Sequence, residues 1–152
     1  MEDGARVSII PPLIPLTALL AGVLLHLAFP VAIAPAGITT PVGLVLTVGS
    51  MLLVGAAARG LAKAHTAFDV RKPTTALVET GVFRLSRNPV YFSMMLLCVG
   101  IAFLANSVPM LLLSLPAGSA LCLLVIRPEE SYLERKFGNA YLTYKESVGR
   151  WV

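Results

Sequence analysis

Residues 90–126 read VYFSMMLLCVGIAFLANSVPMLLLSLPAGSALCLLVI, a run with no Asp, Glu, Lys or Arg, broken only by Asn106-Ser107-Val108-Pro109. Each half approaches the roughly 17 to 25 helical residues that cross a bilayer core. Asn and Ser suit a turn, and proline suits the first helical position after one. The run therefore predicts two spans, near 90–106 and 109–126, closed into a tight antiparallel hairpin.

Two more apolar stretches, near 12–33 and 42–62, raise the expected number of spans to four. The chain has 152 residues, 57% hydrophobic and only 13% charged, with mean hydropathy +0.82. That is too little polar surface to clothe a soluble globule. The expectation is one all-α integral membrane domain over 1–152, with a cytosolic loop at 63–89 and a cytosolic cap at 127–152. No repeat or low-complexity stretch divides it. Pro11, Pro12, Pro15 and Pro30 mark helix ends or kinks. Gly49, Gly55, Ala56, Ala57, Ala58 and Gly60 allow close helix approach in the second span.

Charge placement orients the spans, because Lys and Arg in short loops stay on the cytoplasmic side. Lys63, Arg71, Lys72, Arg84 and Arg87 lie in the middle loop, and Arg127, Arg135, Lys136, Lys145 and Arg150 in the tail. The connections at 34–41 and 106–109 carry no charge. Both termini are thus expected in the cytoplasm, with loop and tail on one face that also holds Asp69, Glu79, Glu129, Glu130, Glu134 and Glu146. The net charge of +4 follows from this topology and from anionic lipid, and gives no reason to expect nucleic acid.

A cleaved signal peptide competes for the first span, since Ala32-Ile33-Ala34 resembles a cleavage site. Glu2 and Asp3 against Arg6 in the leader, and Pro35 just after the cut, fit that pattern badly. Cys98 and Cys122 stand singly in different spans, without metal-type spacing, and read as small apolar filler; neither a disulfide nor a metal site is expected.

In the cap, Pro128 suits a helix start, which would place Glu129 and Glu130 where the helix dipole favours anions. Stabilising that start is one complete account of the acidic pair. Leu133, Phe137, Tyr141, Tyr144 and Val148 then recur at helical spacing, predicting an interfacial segment with its aromatic side inward. Gly138 can end one helix and Asn139 cap a second, giving a helix-turn-helix lid. In the middle loop, Thr80-Gly81 reads as a turn, and Asn88 before Pro89 is biased away from helix. Arg87 then sits at the mouth of the bundle, where its charge needs something anionic bound or adjacent. Taken singly, Arg87 reads first as a snorkelling or topogenic arginine, and Tyr91 can be read as a belt aromatic.

The ordered series carries more. Thr75-Ala76-Leu77-Val78, Thr80-Gly81-Val82-Phe83, Arg87-Asn88-Pro89-Val90-Tyr91, then Glu129-Glu130, Leu133, Phe137-Gly138, Tyr141 and Tyr144-Lys145 resembles the C-terminal signature of the isoprenylcysteine carboxyl methyltransferase and phospholipid methyltransferase families. The resemblance covers residues 74–151, in order, spacing and intervening hairpin. It implies a membrane-embedded enzyme that uses S-adenosylmethionine, held between the loop before the third span and the Glu-Glu segment. The acceptor would be a lipid-soluble or amphipathic small molecule bearing a carboxylate, amine or thiol, reached from the bilayer beside membrane lipids. The brevity of the chain and its Asn88 resemble prokaryotic members, which would put it in an inner membrane. Eukaryotic-type members have His at the positions of Thr75 and Asn88; Asn88 can still hydrogen-bond, but proton transfer there is lost. Phe83 keeps a stacking face without a hydroxyl.

Carried over residue by residue, the resemblance implies Thr75, Leu77, Val78, Gly81, Phe83, Asn88, Glu129 and Glu130 at the cofactor. Arg87 would hold the cofactor carboxylate or an anionic acceptor, and Tyr91 would donate a hydrogen bond. Methyl transfer from a sulfonium is an in-line displacement, so alignment in a dry site is the main requirement. His65, in the loop, and His26, inside the first span, stay outside this set. Two readings of other classes stand beside it: an NADPH-dependent membrane reductase of sterol-reductase-like layout, and a non-enzymatic membrane scaffold.

Overall fold

The computed structural model describes residue 7, residues 9–69 and residues 71–152. The leader charges Glu2, Asp3 and Arg6 lie outside the described residues. Among the described residues all regular structure is helical: α1 (Leu13–Ala28), α2 (Ala36–Lys63), a 3₁₀ turn (Gly81–Arg84), α3 (Pro89–Leu104), α4 (Val108–Leu121), a π-turn (Cys122–Ile126), α5 (Arg127–Phe137) and α6 (Asn139–Ser147).

Prolines set the boundaries. α1 stops at Ala28 with Phe29 off helical geometry (φ −136°, ψ 81°), because Pro30 disfavours helix at the residue before it. The helix is thus shorter than the apolar stretch 12–33. α2 starts at Ala36, directly after the extended Pro35, and takes Pro41 into its early turns, where few hydrogen bonds are lost. It begins earlier than the expected 42. α3 starts at Pro89 as read from the sequence, with Asn88 off helical geometry (φ −128°, ψ 54°). Ser107 caps α4, its Oγ accepting from the Met110 amide at 3.3 Å.

α2 at 28 residues and the unbroken run Val108–Phe137 at 30 are long and apolar enough to cross a bilayer. α1 and α3 are apolar but have 16 residues each, a rise of about 24 Å. In the bundle α2 packs along α3 and α1 along α4, with α3 and α4 between them. The closest approaches fall at Gly22 against Met110, Gly43 against Leu104, and Gly100 against Thr47. They are not at Gly49 or Gly55, which have open space or only ordinary contact. Outward faces carry large exposed apolar side chains, including Leu24 and Leu27 on α1, Val45 and Leu52 on α2, and Leu115 on α4. A surface of that kind is suited to lipid.

The last long helix corrects one expectation. Pro128 does not start a new helix: the chain stays helical through Ile126 (φ −64°, ψ −48°) into Arg127. Pro128 has no N–H to donate, and its ring would clash with the carbonyl one turn back. The π-turn just before it absorbs the mismatch, with Arg127 N–H bonded to Cys122 O. Glu129 and Glu130 therefore lie inside a continuous helix, past the apolar span, and not at a free N-terminus with its dipole. Their placement needs another explanation. Gly138, at φ +55°, then turns the chain from α5 into α6, so the helix-turn-helix over the bundle forms as expected, with the turn supplied by glycine; Asn139 makes no capping bond there.

The two ends of the bundle differ. At one, the uncharged connections knit together: Asn106 Oδ1 accepts from the Ile33 and Ala34 amides at 2.8 and 3.2 Å, and its Nδ2 donates to Ala34 O at 2.9 Å. Val108 N–H donates to Val31 O. At the other end gather the loop 64–88, α5, α6 and the C-terminal residues. A small core there joins Val7, Tyr91, Leu121, Val125, Ile126 and Tyr132, with Trp151 packed against it.

Candidate functional site

At the charged end lies a cavity of about 310 Å³, within the size range of small-molecule sites. Its walls come from five places in the chain: Ile10, Pro11 and Pro12 before α1, Leu61 at the end of α2, the loop from Ala67 to Asn88, the first turns of α3, and α5 with α6. The lid contributes Leu133, Tyr141 and Tyr144.

The loop holds its shape through local bonds. Gly81 adopts φ +62°, a left-handed conformation that costs glycine little, and this turns Phe83 inward, where it is buried. Gly60 leaves room for its ring: a Cβ there would stand 3.3 Å from Phe83. Tyr144 Oη donates to Phe83 O at 2.6 Å and ties the lid to this turn. The Tyr132 hydroxyl accepts from the Thr74 amide at 3.3 Å. Farther along, Arg87 N–H donates to Gly149 O, and both Ser86 Oγ and Asn88 Nδ2 donate to Arg150 O at 3.2 Å.

The neighbouring glutamates have opposite surroundings. Glu130 is buried and ion-paired twice, to Arg150 at 2.7 Å and to Arg87 at 3.4 Å. Burial opposes its charge, but the Arg150 hydrogen bonds and the two guanidinium charges outweigh it and hold its carboxyl below the usual range. Glu129, half-buried on the cavity wall, has among the described residues the Tyr91 hydroxyl as its hydrogen-bond partner, which donates to its Oε2 at 2.7 Å. Desolvation dominates there, offset in part by Tyr91 and reinforced by the charge of Glu130, and pushes the Glu129 carboxyl up to about 7. Tyr141 is a donor and not a base, since burial pushes its phenol up to about 12.

Arg87 is the most exposed in chemical terms and among the least exposed to solvent. Its side chain is 8% accessible, it lines the cavity, and among the described residues its Nε and Nη1 make no hydrogen bond, although the Tyr141 hydroxyl lies beside the guanidinium. Leaving a buried guanidinium so incompletely bonded is costly. A cavity with an unmet cationic donor on one wall and a carboxylate close to neutral titration on another can take a ligand that carries both signs of charge.

Of the residues expected at a cofactor, Leu77, Val78, Phe83, Asn88 and Glu129 line this cavity, as do Arg87 and Tyr91. Thr75, Gly81 and Glu130 do not. Thr75 is spent on the loop, donating from Oγ1 to His65 O and from its amide to Thr66 Oγ1. His65 is exposed, and His26 lies in α1 with Nδ1 buried and unbonded, away from the cavity. Sequence reading missed the wall residues Ile10, Pro11, Pro12, Asp69 and Met94. The prolines read only as a helix end, and Asp69, bonded to Arg71, as one more surface charge. Tyr141 and Tyr144 were legible as the inward face of the lid, without their place on the cavity.

A family model described as phospholipid methyltransferase matches residues 38–140, well over half of the chain. No curated protein and no solved structure matches it.

Proposed function

The chain belongs to the phospholipid methyltransferase family, and from that premise we propose that it transfers a methyl group from S-adenosylmethionine to a lipophilic or amphipathic acceptor at the cytoplasmic face of a membrane. That it is a membrane methyltransferase follows from the family together with the two full-length apolar helices. The donor, the acceptor, the four-span count and the orientation with both termini cytoplasmic are our reading.

The observation that carries it is the pairing of Arg87, with two unmet donor atoms, and Glu129 on the walls of one cavity. The amino-acid end of S-adenosylmethionine bears a carboxylate and an ammonium side by side, which this pair fits. Arg87 would take the carboxylate, and Glu129 the ammonium. Leu77, Val78 and Phe83 supply an apolar wall for the adenine, while Asn88 fixes the neighbouring backbone. Thr75 and Gly81 act from outside the cavity by shaping the loop, and Glu130 acts from behind Arg87. When bound, the cofactor supplies an electrophilic methyl on a sulfonium sulfur. The residues of the chain align and desolvate a nucleophile that attacks as a carboxylate, a thiolate or a free amine; an ammonium acceptor must first give up a proton. Tyr91 orients Glu129, and the lid tyrosines exclude water.

The acceptor enters from the bilayer side, past Ile10, Leu61 and Met94. A phospholipid amine is the first acceptor to try, given the family description, followed by a prenylated carboxylate and a lipophilic thiol. Calorimetry on the purified protein tests the donor: S-adenosylhomocysteine should bind, and NADPH should not. Binding of NADPH alone would overturn the reading in favour of a reductase. Transfer of radiolabel from the methyl donor into extractable lipid tests the reaction.

A further inference from the structure

The C-terminal residues, beyond the family match that ends at 140, close around the same arginine. We propose that Arg150 is a positioning residue, which takes Glu130 for itself and so leaves the Arg87 guanidinium open to an anionic ligand. This rests on the reading that Arg87 meets the ligand carboxylate.

Glu130 faces two guanidinium groups and bonds to one. Arg150 donates from Nε to both carboxylate oxygens, at 3.1 and 3.2 Å, and from Nη2 to Oε2 at 2.7 Å. Arg87 Nη1 stands 3.4 Å from Oε1, in ion-pair range, yet neither it nor Nε makes a hydrogen bond. A carboxylate buried beside a single arginine draws it into a fork of parallel bonds. With the fork supplied by Arg150, Arg87 keeps the charge of Glu130 as background and its Nε and Nη1 unbonded, while the Tyr141 hydroxyl lies beside the guanidinium. The same tail also fixes the backbone from which Arg87 projects: Gly149 O accepts its N–H, Arg150 O accepts from Ser86 and Asn88, and Trp151 packs on Phe92 with ring centroids 6.5 Å apart. Arg150 itself is 32% exposed, so it reaches Glu130 from the solvent side and not through the cavity.

If Arg150 acts by occupying Glu130, its loss lets Glu130 capture Arg87, and the damage is confined to ligands with a carboxylate. The experiment is calorimetry of wild type, Arg150→Gln, Arg150→Lys and the double variant Arg150→Gln/Glu130→Gln, each with S-adenosylhomocysteine and with its decarboxylated analogue. Wild type should prefer S-adenosylhomocysteine. Arg150→Gln should cut that preference by about tenfold or more, the scale of one charge-assisted bond, with the analogue bound as before. Arg150→Lys, which keeps the charge but not the fork, should fall between. The double variant should regain the preference, since there is no longer a carboxylate to capture Arg87. A merely structural role would weaken both ligands together, with no recovery in the double variant, and that result overturns the proposal. So does an unchanged preference in both single variants. Wild type that binds the two ligands equally, or binds neither, removes the reading of the site and this inference with it.

Discussion

The two ends of the bundle solve the same problem differently. Each must satisfy polar groups where chain reversals meet the helices. At the uncharged end the side chains pair with backbone: Asn106, itself at φ +48°, uses its amide for three bonds to the backbone at 33 and 34, and Ser107 caps α4. At the charged end, two arginines and two glutamates are brought together, and Arg87 is left with unbonded donors. Where the aim is only to close a structure, polar groups are paired off among themselves. An end that leaves one unpaired beside a cavity has room for a ligand to meet it.

The sharpest way to break this contrast is a crossed pair of substitutions. Arg87→Gln should lower S-adenosylhomocysteine affinity about ten- to a hundredfold, corresponding to a bond to a charged group worth about 1.5 to 3 kcal/mol. Thermal unfolding in detergent should scarcely change, because Glu130 keeps Arg150 and a cation with unmet donors has been removed. Asn106→Ala should do the reverse, costing about 1 to 3 kcal/mol of stability through the backbone groups it leaves unbonded, with ligand affinity as in wild type. Loss of stability in Arg87→Gln together with intact binding would make the charged end as purely structural as the other.

The uncharged end and the hairpin were legible in the sequence for the same reason. Span length, an interrupting Asn-Ser and a following proline are local signals, and α3, the turn and the start of α4 follow them. Helix ends at Phe29 and Ala36 were less legible, since an apolar run does not say where within it a proline stops the helix. The continuity of α4 into α5 was hidden because a proline suggests a start, and only the π-turn shows how the helix passes it. The distinction between Glu129 and Glu130 could not be read at all. Adjacent helical residues point about 100° apart, and which of the two meets an arginine depends on the tail that returns from residue 150. The family resemblance supplied the pair; the fold separates its members.

That separation makes a smaller prediction, in pH. Glu129, raised to about 7 chiefly by desolvation, is more readily protonated in the folded protein than in an unfolded chain. Its contribution to stability is therefore present at low pH and lost as pH rises from the ordinary carboxylate range through about 7. A cationic ligand needs the ionised form, so the sign for binding is opposite. S-adenosylhomocysteine affinity should rise about tenfold between about pH 6 and pH 8 and level off above, the factor expected of one carboxyl titrating midway. Glu130, held low by Arg150 and Arg87, should contribute nothing across that window. Tyr91→Phe removes the hydrogen bond that favours ionisation of Glu129. It should move the rise to higher pH by less than about one unit, since the bond is the smaller of the opposing effects. Calorimetric titrations at fixed ionic strength measure both curves. An affinity flat across this range in wild type would take Glu129 away from the ligand ammonium, and with it the difference between the two carboxylates that the fold creates.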